Sequence, residues 1–261
     1  MTEYRLTGLS RASTHGPIQT FDQLGGGGVV WNTALAIPVH LGGPWNSIEY
    51  VSIPPLTDGV ESAVGEHVQG TDEIYFIHRG EGWLTTNGLP CPVAAGDLVI
   101  APKGTRHSIR NPSPQQPLAF LVVELKAPGN GGTYQPTLVG AFPSFLQESD
   151  TFHPASIGGQ SVLLRVASVD LSAYFSAPWG RLSLVEIPPE GCVDGYREVA
   201  HDENVFVVDG SARVCVAHHC FDSDENGLNV LVPRGVPHWI ANRSSTAPLT
   251  VLCLTVCRDF P

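Results

Sequence analysis

His67, Gln69 and Glu73 lie within the stretch EHVQGTDEIYF at 66–76, which brings an imidazole, an amide and a carboxylate into one strand-like segment. Alternate residues of a strand face the same side, so His67 and Gln69 point together, and Glu73 can rejoin them after a short turn. His107 arrives on another segment, directly after the turn Pro102-Lys103-Gly104. Two imidazoles, an amide oxygen and one carboxylate make a mixed nitrogen and oxygen donor set that suits Fe(II), Mn(II), Zn(II) or Ni(II) better than Cu(I). An ion preferring five or six ligands would keep open positions for water, oxygen or substrate. Four such donors facing an apolar lumen need a partner. The same side chains could instead satisfy one another as a buried hydrogen-bond network or line a metal-free pocket. Tyr75 and Ile77 share the parity of Glu73, so Glu73 and Tyr75 are the candidate catalytic pair, a base and a neighbouring hydroxyl donor.

The elements that must position these residues occur twice. PWNSIEYVSIPP from Pro44 is echoed by PWGRLSLVEIPP from Pro178, and DEIYFIHRG from Asp72 by DENVFVVDG from Asp202. GDLVIAPKGTRHSIRN from Gly96 matches GLNVLVPRGVPHWIAN from Gly227, and PLAFLVV from Pro117 matches PLTVLCL from Pro248. The offset stays between 130 and 134 residues across four matches in order, which implies two copies of one supersecondary unit. Each copy reads as short strands punctuated by Gly and Pro, the pattern of a sandwich or barrel. Residues 127–161, rich in Gly, Pro and Ser, read as the link between copies, and GGGG at 25–28 reads as a turn because no Lys-Ser/Thr follows it.

Composition narrows the function classes. Hydrophobic residues make up 42% and charged residues 15%, which allows a sizeable core. A formal net charge of −11 argues against nucleic-acid and anionic-membrane partners. The start, MTEYRLTGLSRAS, lacks a signal-peptide apolar run, and the chain reads as cytoplasmic. Six cysteines without a CxxC pair read as thiols in a reducing compartment, with CVAHHC (Cys215 to Cys220) the one conceivable nucleus of a thiolate site. His78, Arg106 and Arg110 have the outward parity of their strands, at most one of His218 and His219 faces inward, and Trp45, Trp83, Trp179 and Trp239 read as core or interface packing.

The motifs resemble those of the cupin superfamily. Its second motif, G-x5-P-x-G-x2-H-x3-N, is complete as Gly96, Pro102, Gly104, His107 and Asn111, and again as Gly227, Pro233, Gly235, His238 and Asn242. Its first motif is nearly complete as His67, Gln69, Glu73 and Gly80, with Gln69 where the second His belongs and a shorter lead from the first Gly. The resemblance implies an all-β chain of two tandem cupin barrels (double-stranded β-helix, or jelly roll), residues 1–140 with the metal site and 141–261 with a degenerate one, in a homodimer or larger oligomer. It implies one divalent ion per chain on His67, Gln69, Glu73 and His107, Fe(II) foremost. The expected activity is a non-haem iron oxygenase acting on a small chelating organic substrate. A non-redox isomerase, lyase or cyclase using Zn, Mn or Ni is the alternative, and a ligand-binding bicupin without catalysis is the third reading. In the second copy, counting back from Glu203 puts Arg197 and Val199 in the slots of His67 and Gln69, so this barrel is expected to bind no metal. Arg197 is then either beside Glu203 or out in solvent.

Overall fold

Runs of Val, Ile and Thr cut by Gly and Pro fold as antiparallel strands in this computed structural model. It describes residues 10–15, 18–20, 24–36, 42–56, 58–128, 137–176, 178–224 and 226–257. The described residues form two compact units, one of 15–142 with 174–176, the other of 10–14 with 143–173 and 178–257.

The first unit pairs two sheets. The larger has seven strands in the order Thr137–Val139, Leu98–Ala101, Asp72–Arg79, Leu118–Leu125, Trp45–Ile53, Trp31–Ala36, Gln19–Thr20. The smaller has four, Ser62–Val68, Arg106–Asn111, Glu81–Thr86 and Leu89–Ala94. Apolar residues of both, among them Ile53, Val64, Ile77, Leu84, Ile109 and Phe120, form one buried cluster. The second unit repeats the plan. Its seven-stranded sheet runs Ser10–Ser13, Leu228–Val232, His201–Asp209, Leu249–Cys257, Trp179–Ile187, Leu164–Asp170, Gln147–Ser149, and a six-stranded sheet carries Cys192–Tyr196 beside His238–Asn242. The central strand order is the same in both units. This is the two-barrel jelly roll that the repeated motifs imply.

Motif residues away from the metal-type donors are structural. Asn111 donates through Nδ2 to the carbonyls of Ile53, Pro54 and Gln116, and its Oδ1 accepts from Ser113 N–H. Asn242 does the same to Ile187, Pro188 and Ala247 and accepts from Ser244. One buried amide thus closes the Ile-Pro-Pro turn against the end of its own strand, satisfying carbonyls that proline-rich turns leave without a ladder partner. Gly80 sits at φ +77°, where a Cβ would come within 2.2 Å of the Pro117 carbonyl oxygen, so no side chain fits there.

Several surface expectations change. Cys215 and Cys220 are register partners on the hairpin of Ala212–Val216 and His219–Ser223 and are joined as a disulfide. They are therefore neither separate thiols nor thiolate ligands, and of the free cysteines only Cys253 is buried. His78 is half-buried with Nδ1 2.8 Å from the Tyr50 hydroxyl, a contact across the outer face of the larger sheet that shelters it despite its outward parity. Both His218 and His219 are exposed at the tip of that disulfide hairpin. Trp45 and Trp179 are buried, whereas Trp83 is exposed. No helix among the described residues is long and apolar enough to cross a membrane.

Candidate metal centre and active site

His67 and His107 meet because their strands pair in register. Ser62–Val68 and Arg106–Asn111 are antiparallel neighbours with His107 opposite His67. Their rings lie 4.6 Å apart, centroid to centroid, at 67°. The turn is fixed by its backbone: Gly104 N–H donates to the Gln69 carbonyl and Gln69 N–H donates to the Thr105 carbonyl. Glu73 comes from the larger sheet, across the lumen, with its Oε2 3.5 Å from His107 Nε2. Gln69 is buried, its Nε2 donating to Thr71 Oγ1, which leaves the amide oxygen for another partner. His67 Nδ1 lies 3.0 Å from the Gly65 carbonyl oxygen. That bond makes Nδ1 the donor and leaves the lone pair on Nε2.

The Tyr75 hydroxyl sits between the two sheets' chemistry. It donates to Glu73 Oε2 at 2.7 Å, and its oxygen lies 2.6 Å from His107 Nε2. Burial pushes Glu73 well above the ordinary carboxylate range, and the charge of Glu124, directly opposite on the next strand, adds to it. Burial likewise pushes the Tyr75 phenol up, with Glu73 beside it. Burial, then His67, hold His107 down at about 3. His107 Nδ1 is buried without a hydrogen-bond partner.

A cavity of about 290 Å³ opens beside this cluster, and His67, Gln69, Glu73 and Tyr75 are in its wall. Asn46, Ser47, Glu49 and Glu124 are there too, with apolar residues that include Val64, Ile109, Phe120 and Val122. Glu49 and Glu124 escape a motif search because they lie in the repeated apolar strands. Parity was the available signal: Ser47 and Glu49 alternate along Trp45–Ile53, and Glu124 pairs opposite Ser47. The donor set fits a divalent cation in the chemistry of its atoms, although no three His, Cys, Asp or Glu side chains among the described residues stand in a metal-holding arrangement. It combines imidazole, amide and carboxylate, and the inward carboxylates Glu49, Glu73 and Glu124 have no Lys or Arg among the described residues lining the cavity.

The second barrel differs from the counted expectation. Tyr196, not Arg197, stands opposite His238, as His67 stands opposite His107. Glu198 replaces Gln69, since its carbonyl accepts from Gly235 N–H as that of Gln69 accepts from Gly104. The shorter loop and an irregular register between Val193 and Tyr196 shift the count by one residue. Arg197 is exposed and not beside Glu203. Glu203 instead accepts from Tyr196 Oη at 3.1 Å, and its Oε2 is 2.8 Å from His238 Nε2. Burial alone would lower His238, yet the bond to Glu203 leaves it above its ordinary value. Next to this closed trio is a cavity of about 460 Å³ walled by His153, Arg181, Glu198 and His201 among others. His153 stacks on Tyr196 with centroids 3.6 Å apart. Residue spacing gave no sign of His153, which lies outside both motifs.

Comparison with known proteins agrees with this architecture. The cupin domain family matches residues 56–124, the span that holds His67, Gln69, Glu73, Tyr75, His107 and Glu124. An oxalate-binding protein of Thermotoga maritima is 43% identical over 63 residues, 24% of this chain, and the match spans 51% of that relative's length. YlbA of E. coli superposes over 98% of this chain and 94% of its own with a TM-score of 0.70 at 12% identity. The oxalate decarboxylase of Bacillus subtilis, described with Mn(II) centres, covers 97% of this chain and 78% of its own with a TM-score of 0.61 at 15% identity. Residues 56–124 match the cupin domain, and the second unit repeats the strand order of the first, so the chain has a two-barrel fold of the cupin type.

Proposed function

We propose that the first barrel is a divalent-metal-dependent active site for a small organic molecule, and that its reaction is a proton-transfer step of the lyase or isomerase class. The observation that carries this is the buried Tyr75 hydroxyl, 2.7 Å from Glu73 Oε2 and 2.6 Å from His107 Nε2, at the wall of a cavity large enough for a few-carbon substrate. His67, Gln69, Glu73 and His107 would hold the ion. When bound it supplies Lewis-acid polarisation of a substrate oxygen. The chain's own groups do the rest. Val64, Ile109, Phe120 and Val122 keep water from the cavity wall and strengthen the polar contacts inside. Glu73 is the acceptor for a substrate proton, and Tyr75 the donor that holds the carboxylate in place and can return a proton.

The iron oxygenase expected from the motifs is the second reading, and two of the three named proteins, a decarboxylase and an oxalate-binding protein, do not add to it. The second barrel is read as metal-free, because Tyr196 and His238 already satisfy the Glu203 carboxylate. The chain is read as a cytoplasmic homodimer, which light scattering on purified protein tests.

Elemental analysis of protein purified without added ions is expected to find one divalent ion per chain, lost in His67→Ala and His107→Ala. Tyr75→Phe is expected to keep the ion and lose about 10²–10⁴-fold in turnover of an identified substrate. Turnover that persists without oxygen in the presence of Mn(II) or Zn(II) supports proton-transfer chemistry. An absolute oxygen requirement with Fe(II) refutes it in favour of the oxygenase.

A further inference from the structure

The walls of the first cavity carry a charge that the metal-type donors do not explain. Glu49 and Glu124 reach it from neighbouring strands of the larger sheet. Glu49 Oε2 accepts from Asn32 Nδ2, and Glu124 Oε2 accepts from Asn46 Nδ2 and Thr71 Oγ1. All of these donors are neutral. No Lys or Arg is among the described residues of the cavity wall. A divalent ion bound by Glu73 leaves two further carboxylates facing whatever enters.

The second barrel shows that the fold does not demand acids at these positions. By the internal repeat, Glu49 corresponds to Ser183 and Glu124 to Thr255, while Ser47 corresponds to Arg181. Ser183, Thr255 and Arg181 line the second cavity, whose carboxylates Asp170, Glu198 and Glu203 come from other positions, so at these equivalent strand positions one wall carries two acids and the other two hydroxyls and a guanidinium. Two half-buried carboxylates, each held by a neutral donor and turned to the same small cavity, select against an anion there and for a group that donates hydrogen bonds.

We infer that the first barrel's substrate presents N–H groups or positive charge, as an amine, amide or amidine, to Glu49 and Glu124, and that a dicarboxylate such as oxalate is disfavoured. This rests on the active-site reading above. Oxygen atoms of the same molecule would face the His67 and Gln69 side of the cavity, and its nitrogen the Glu49 and Glu124 side.

The test titrates two probes, glycinamide and oxalate, into full-length wild type, Glu49→Gln and Glu124→Gln by calorimetry, with Mn(II) present and again with chelator. Each substitution keeps shape and removes one charge. The expected result is a split in sign: each variant binds glycinamide about tenfold more weakly and oxalate about tenfold more tightly. Damage to the fold would weaken both probes together. Variants that move the two probes in the same direction, or move neither, overturn the inference. Metal content measured on the same samples reports separately on the active-site reading, because the split in sign is also expected without metal.

Discussion

Glu73→Gln offers the sharpest test of the first barrel, because the substitution should change sign with metal. Glu73 is 3% exposed and stands directly opposite Glu124 in an antiparallel pair. Residues opposite one another in such a pair have Cα atoms about 4.5–5.5 Å apart. At an effective dielectric near 20, two charges about 5 Å apart repel by about 3 kcal/mol. Glu124 is half-buried, and solvent screening reduces this to about 1–2 kcal/mol. Glutamine keeps the shape and the acceptor for Tyr75 while removing the repulsion and most of the burial penalty. In chelator, at a pH above the folded value where Glu73 is ionised, the variant should therefore melt about 2–8 °C above wild type. In Mn(II) at about a hundred times its dissociation constant, wild type should gain about 2.7 kcal/mol, a gain that the variant, short of its carboxylate ligand, largely lacks. The order of the two melting temperatures then inverts. The pH dependence follows from the same carboxyl. It titrates above its ordinary value of 4.5 in the folded protein, which keeps the proton after the unfolded chain has released it. The stability this gives is present at low pH and is lost as pH rises from 4.5 through the folded value. In chelator that falling slope should be present in wild type and absent from Glu73→Gln. Thermal unfolding across pH, with and without Mn(II), is the assay. A variant less stable than wild type in both conditions would refute the reasoning, since it would mean that the carboxylate is held by its hydrogen bonds and carries no net penalty.

Further outcomes are expected elsewhere. Asn111→Ala and Asn242→Ala each strip hydrogen bonds from three carbonyls and one N–H around a buried turn, and each should lower unfolding free energy by about 2–4 kcal/mol in denaturant titration. Tyr196→His places an imidazole opposite His238 next to Glu198 and Glu203, and metal per chain measured by elemental analysis should rise above the wild-type value. If it does not, the donors of the second barrel differ from the first by more than this one side chain. His107 stays neutral in the folded protein down to about pH 3, so it favours folding above its unfolded value near 6.5. That contribution is lost as pH falls from 6.5 towards 3, and His107→Gln should flatten the rising limb of stability against pH across that window.

Much of this protein is legible in the amino-acid order because the same grammar is written twice. Gly at a positive-φ turn, Pro before it, His on the next strand and Asn at that strand's end each meet a local backbone need, and local needs survive in linear spacing. The parity of Tyr75 with Glu73 is of the same kind, since a strand of period two fixes which side chains share a face. Spacing fails where the loop length changes. One residue of slip before Tyr196 turned the expected Arg197 out to solvent and put a phenol opposite His238, a result decided by cross-strand register. Register also brings together Cys215 and Cys220, which composition alone reads as thiols. Glu49 and Glu124 belong to apolar strands far apart in the chain, and His153 lies outside every motif. Only the closing of the sheets around a lumen decides that two acids face one cavity and that an imidazole stacks on Tyr196 in the other. A sequence states which faces its strands can bury; which distant faces meet, and so which charges line a cavity, depends on packing between strands that no local spacing records.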